Sequence, residues 1–92
     1  MLDDELEIVS LIKHFLQRHG YHVFGFTNPI LAIEHFILDS RNYSLIICDL
    51  RMPTMNGFEC VKKMRELVPS IKVILISAFD INDPVYLTFH HL

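Results

Sequence analysis

From Ile8 onward, apolar residues fall at positions 8, 11, 12, 15 and 16, a spacing that keeps them on one face of an α-helix, and Gly20 can end it. The pattern then changes. Residues 21–26 read YHVFGF, short, aromatic and bounded by turn formers, and predict a strand. Asn28 offers a capping side chain, and Pro29 occupies the first helical position, where a missing N–H costs nothing. The stretch ILAIEHFIL predicts a second helix, followed by a loop from Asp39 to Tyr43. Two runs, SLIIC at 44–48 and KVILI at 72–76, are continuously aliphatic rather than alternating, as expected of central strands in a parallel sheet covered on both faces. Between them, residues 58–68 carry helical spacing and stop at Pro69. Helix and strand alternate without repeat, linker or low-complexity tract, which predicts a single α/β domain with right-handed crossovers.

Open parallel sheets bind their ligands beyond the carboxyl ends of the strands. Asp49 follows SLIIC, Ser77 follows KVILI, and Asp3 and Asp4 stand just before the first helix, where a preceding strand would end. These groups are expected at one rim. Clustered carboxylates repel one another, and a hard divalent cation with oxygen ligands relieves the repulsion. Mg²⁺ suits such a site because it keeps several waters and shares its remaining positions with a phosphate. A carboxylate beside it can attack a phosphoryl group in line. On that chemistry Asp49 is the nucleophile, Asp3 and Asp4 hold the metal, and the Ser77 hydroxyl donates to a phosphoryl oxygen. Plainer roles stand beside these: a turn or cap for Asp49, the first turn of a helix dipole for Asp3 and Asp4, a turn hydroxyl for Ser77.

Composition narrows the partners. The chain has 92 residues, 51% of them apolar, near the lower size limit for a domain with one core, and its formal charge is −3. There is no basic face for nucleic acid or anionic lipid, so neither partner is expected. No apolar run reaches the length of a membrane span, and MLDDELE is too acidic for a signal peptide, so the expected location is cytoplasmic. Cys48 and Cys60 lack metal or disulfide spacing and are expected as buried thiols. His14, His19, His22 and His35 lack the paired spacing of metal ligands on one helix.

DDE at residues 3–5, DLRMPTMNGFE from Asp49 and ILISA ending the later strand resemble, together and in order, the receiver domain of two-component response regulators. The resemblance runs from Asp3 to about Asp83. It implies a flavodoxin-like, doubly wound parallel sheet of strand order 2-1-3-4-5. It further implies that Asp49 accepts a phosphoryl group from a histidine kinase or phosphotransfer protein, and that Mg²⁺ is held by Asp4, Asp49 and the backbone carbonyl of Arg51, with Asp3 beside them. Ser77 would be the switch hydroxyl, and Pro53 and Gly57 would shape the loop next to the acceptor. Such a domain is a switch rather than an enzyme.

Two departures from the family pattern modify the expectation. Only Met1 and Leu2 precede the acidic pair, and no lysine follows Ser77 to match the one that ends the family's fifth strand. Residues 1–92 are therefore expected to form a partial receiver domain, lacking the first strand and the fifth strand with its last helix. The missing first strand would open the middle of the sheet and favour a dimer or strand exchange. Two functions stay open: a phosphoacceptor switch acting on an unidentified output partner, and a phosphorylation-independent interaction module or non-functional fragment. A haloacid-dehalogenase-like phosphatase, which needs a second acid two residues after the first, is set aside because Arg51 occupies that place.

Overall fold

A computed structural model describes residues 1–76, in which three helices and two strands follow in the order α1 (Leu6–Arg18), α2 (Pro29–Asp39), β1 (Leu45–Asp49), α3 (Gly57–Leu67) and β2 (Lys72–Ile76). The local signals act as their chemistry requires. Gly20, at φ +89°, ends α1 in a left-handed turn, and the Tyr21 N–H donates back to the Leu16 carbonyl at 3.1 Å. The Asn28 side chain accepts from the Ile30 N–H at 2.9 Å, with Pro29 in the first turn of α2. Asn56 accepts from the Glu59 N–H at 2.9 Å, which starts α3 one residue before the expected position. The expected loop after α2 is tightened into a 3-10 turn at Ser40–Asn42.

β1 and β2 pair in parallel, in register from Leu45 with Lys72 to Asp49 with Ile76. Ile46, Cys48 and Val73 point to the face covered by α2 and α3, where they meet Phe36, Cys60 and Met64. Cys48 and Cys60 are both free and fully buried, as expected. Their contact pushes the Cys48 thiol up and the Cys60 thiol down, and with both fully buried in the core the pair serves as packing.

Three expectations are corrected. Residues 21–26 do not form a regular strand: only Phe26 makes a bridge, to Leu2. The sheet is also not open at its centre throughout. Leu2 bridges Phe26 on one side and Cys48 on the other, both in parallel, so Met1–Asp3 acts as a three-residue remnant of a first strand. Its backbone is well tied: the Leu2 N–H donates to the Ile47 carbonyl and the Asp49 N–H to the Leu2 carbonyl, each at 2.8 Å. The Phe26 N–H donates to the Met1 carbonyl at 2.8 Å and the Asp3 N–H to the Phe26 carbonyl at 3.1 Å. In space the order is residues 21–26, Met1–Asp3, β1, β2, which is the 2-1-3-4 part of the expected order. Residues 22–25 do not ladder because, among the described residues, their only backbone partner across the sheet is the Met1 amine, which donates to the Phe24 carbonyl at 2.9 Å.

Coverage of both sheet faces is the third correction. Ile74 is 49% exposed, and on α1 Leu11 is 67% and Phe15 59% exposed, while Val9 is the buried residue of that helix. A helix buries its stripe only as far as the surface beneath it extends, and beneath α1 the first-strand remnant is short.

Candidate functional site

Parallel pairing brings the carboxyl ends of neighbouring segments to one rim. Met1–Asp3 runs beside β1, so Asp3 and Asp4 arrive next to Asp49, and carboxylate oxygens of all three lie within 4.8 Å of one another. Asp3 is buried, Asp49 half-buried and Asp4 exposed. The two less exposed acids are anchored by backbone amides: the Glu5 N–H donates to Asp3 Oδ1 at 2.9 Å and the Arg51 N–H to Asp49 Oδ1 at 3.3 Å. Asp3 thus also orders the approach to α1, whose first residue is Leu6; neither Asp3 nor Asp4 lies within the helix.

Burial, then the charges of Asp3 and Asp4, push the Asp49 carboxyl up to about 6, against the Arg51 N–H that favours its ionised form. Burial likewise raises Asp3, its bond to the Glu5 N–H opposing. Self-repulsion within an all-oxygen, partly open pocket is the condition a hard divalent cation relieves, and the donor set fits one.

The raised pKa has a consequence for stability. The folded chain binds the Asp49 proton more tightly than the unfolded chain, so stability is greatest near or below the ordinary value of 3.8 and is lost as pH rises to about 6. After discounting for solvent screening, the loss is about 1 kcal/mol. Asp49→Asn is therefore expected to melt like the parent near pH 4 and to be more stable at pH 7 by about 1 kcal/mol, which for a domain of this size is about 4–8 °C. A constant offset across that range in urea or thermal melts would mean that Asp49 titrates normally.

The loop after β1 folds back on the acid. The Leu50 N–H donates to the Ile76 carbonyl and the Gly57 N–H to the Leu50 carbonyl, each at 2.8 Å. A Cβ at Gly57 would collide with the Asp49 carbonyl oxygen and lie 2.9 Å from Leu50 Cα, so this close approach requires glycine. Of the expected site residues, the structure brings together Asp3, Asp4 and Asp49, with Arg51 reaching them through its amide; Ser77 lies outside the described residues. No histidine or cysteine belongs to the cluster. His35 instead bonds the Tyr43 hydroxyl, among Phe24 and Phe26. The Leu50–Gly57 bond was not foreseen from sequence, although the Asn56-Gly57 pair is its local signal.

The receiver domain profile for response regulators matches residues 1–87. Among curated relatives, the response regulator receiver protein CpdR of Brucella abortus is 30% identical over 86% of this chain and 64% of its own length. Sporulation initiation phosphotransferase F of Bacillus subtilis is 28% identical, over 92% of this chain and 67% of its own. The transcriptional regulatory protein ZraR of Klebsiella oxytoca is 29% identical over 90% of this chain, which spans only 18% of that relative. Among solved structures, the chemotaxis protein CheY4 of Vibrio cholerae superposes with a TM-score of 0.85 at 25% identity, over 98% of this chain and 73% of its own. With the fold, the acidic rim and the profile match in agreement, the chain belongs to the response regulator receiver domain family of two-component signalling.

Proposed function

We propose that Asp49 is the phosphoacceptor of a two-component switch, supplied by a histidine kinase or phosphotransfer protein, and that residues 1–92 act as a partial receiver domain of cytoplasmic location rather than as an enzyme. The observation that carries this reading is the convergence of the Asp3, Asp4 and Asp49 carboxylates, with Asp49 half-buried at the carboxyl end of β1. Asp49 Oδ attacks phosphorus in line. A P–O bond forms, the P–N bond to the donor imidazole breaks, and imidazole leaves. Asp3, Asp4, Asp49 and the Arg51 carbonyl are the groups proposed to hold Mg²⁺, which when bound offsets charge on the phosphoryl oxygens. Ser77 is proposed to donate its hydroxyl to one of them. The added charge then reorders the adjoining loops and alters a face read by an output partner.

The exposed Leu11 and Phe15 on α1 support a second reading, an interaction module that works without phosphorylation. Phosphoryl uptake separates the two. Incubated with acetyl phosphate and Mg²⁺, the chain is expected to gain one phosphoryl group, and to gain none when EDTA removes the metal. Uptake unchanged by EDTA would refute the metal's role; no uptake under either condition would favour the interaction module.

Magnesium is also expected to move the amide signals of Asp4, Asp49 and Arg51 saturably in NMR titration, and to lower the apparent pKa of Asp49. Movement elsewhere, or movement that survives Asp4→Ala combined with Asp49→Ala, would place the metal at another site.

A further inference from the structure

Helix α2 is apolar on both of its faces. On the inner one Pro29, Ala32 and Phe36 are buried, the last two in the core with Ile46 and Met64. At 3.6 residues per turn the opposite face carries Ile30, Leu31, Glu34, Ile37 and Leu38, all of them exposed. Leu38 is 86% exposed and each of the other three aliphatics more than half. A surface helix normally turns charged side chains outward, and one that is apolar all round is normally covered all round. One copy of the chain therefore offers water an apolar patch on the order of 500 Å², the size that marks a contact surface on a small protein.

The charges on this face point to its occupant. Glu34 stands three residues before the Ile37-Leu38 pair and Arg41 three residues after it, in the 3-10 turn that follows α2. Both are exposed, and among the described residues neither makes an ion pair. Asp39, two residues before Arg41, accepts instead from the Asn42 side chain. An acid and a base placed evenly on either side of an apolar pair are self-complementary under a two-fold axis. Antiparallel packing about an axis between Ile37 and Leu38 sets Glu34 of each copy opposite the partner's Arg41 and Ile37 against the partner's Leu38. An axis at Glu34 would bury more aliphatic surface, pairing Ile30 with the partner's Leu38, but it sets two glutamates against each other in a desolvated centre. A lipid surface fits less well, because the face has an acid at its middle and the chain carries a formal charge of −3.

We propose that the outward face of α2 is an isologous contact between two copies of this chain, packed antiparallel about an axis between Ile37 and Leu38, with Glu34 and Arg41 paired across it at both ends. Closing two such patches buries about 1,000 Å², the lower limit for a specific interface, so the dimer is weak, with a dissociation constant of about 10–100 μM. None of its residues belongs to the acidic rim, and the contact does not rest on phosphoryl transfer at Asp49.

Sedimentation equilibrium of the 92-residue chain is expected to show a monomer–dimer equilibrium with a midpoint in that range. Leu38→Glu enters the contact twice and is expected to weaken association by at least about a hundredfold, with the melting temperature at low concentration unchanged because the side chain is exposed. Glu34→Arg and Arg41→Glu are each expected to weaken association about five- to tenfold, and the two together to restore it. A chain that stays monomeric at about ten times the upper value overturns the proposal. So does a dimer that Leu38→Glu leaves intact, a double charge reversal no better than either single one, or a dimer strengthened by Glu34→Gln, which would put the glutamates on the axis. Two results with a monomer name another occupant and overturn it equally: Ile37 and Leu38 methyl groups shielded from solvent at every concentration, which places a segment of the same chain on this face, or Leu38-dependent co-sedimentation with phosphatidylcholine vesicles, which places a lipid surface there.

Discussion

Replacement of Asp49 by asparagine is expected to reduce phosphoryl uptake from acetyl phosphate to background, a loss of at least roughly a hundredfold. Asparagine keeps the shape of the side chain and its bond from the Arg51 N–H, but its amide oxygen is a poor nucleophile. Because the neighbouring carboxylates remain, the variant separates loss of the acceptor from loss of the pocket. Asp4→Asn should retain measurable uptake, since it weakens cation binding while leaving the acceptor. The readout is intact mass together with lability of the product, an acyl phosphate being cleaved by hydroxylamine. Undiminished uptake in Asp49→Asn in a hydroxylamine-resistant form would place the acceptor on another side chain.

The acidic rim was legible in sequence for a physical reason. Asp49 directly follows an aliphatic run and Asp3 and Asp4 directly precede an amphipathic helix, and in a parallel α/β sheet those are positions at one edge. The caps were legible for similar reasons, since Asn28, Pro29 and Gly20 act through their own backbone preferences and need no tertiary partner. What the pattern did not reveal depends on neighbours. YHVFGF has the composition of a strand, yet only Phe26 forms a bridge and Phe24 a single bond to the Met1 amine, because a strand is defined by its partner. Met1 and Leu2 are too few to register as a strand, but the backbone of Met1–Asp3 reaches both neighbours, Leu2 bonding β1 and Met1 and Asp3 bonding Phe26, and holds the acidic pair in place. The stripe on α1 predicts a helix; how much of it is buried depends on the surface below, which the periodicity does not report.

Among single substitutions outside the acids, Gly57→Ala is expected to have the largest effect on fold and site together. Two terms oppose each other. Alanine in place of glycine in a helix favours the helix by up to about 1 kcal/mol. At this position, however, the new methyl group meets the Asp49 carbonyl oxygen and approaches Leu50 Cα to 2.9 Å. Both are backbone atoms of the strand end that carries the acceptor, so no rotamer change relieves the contact, and the loop or α3 must move. Overpacking of this kind costs about 1–3 kcal/mol, and the steric term is expected to win. A fall in melting temperature should therefore accompany a fall in phosphoryl uptake, because the Gly57–Leu50 bond that pins the loop lies next to Asp49. Gly20→Ala supplies the contrast. That residue sits at φ +89° with open space around its Cβ position, so alanine there should lower stability through backbone strain while leaving uptake per folded molecule unchanged. If Gly57→Ala instead raises the melting temperature and leaves uptake intact, the loop yields at little cost, and its closeness to Asp49 does not hold the acceptor in position.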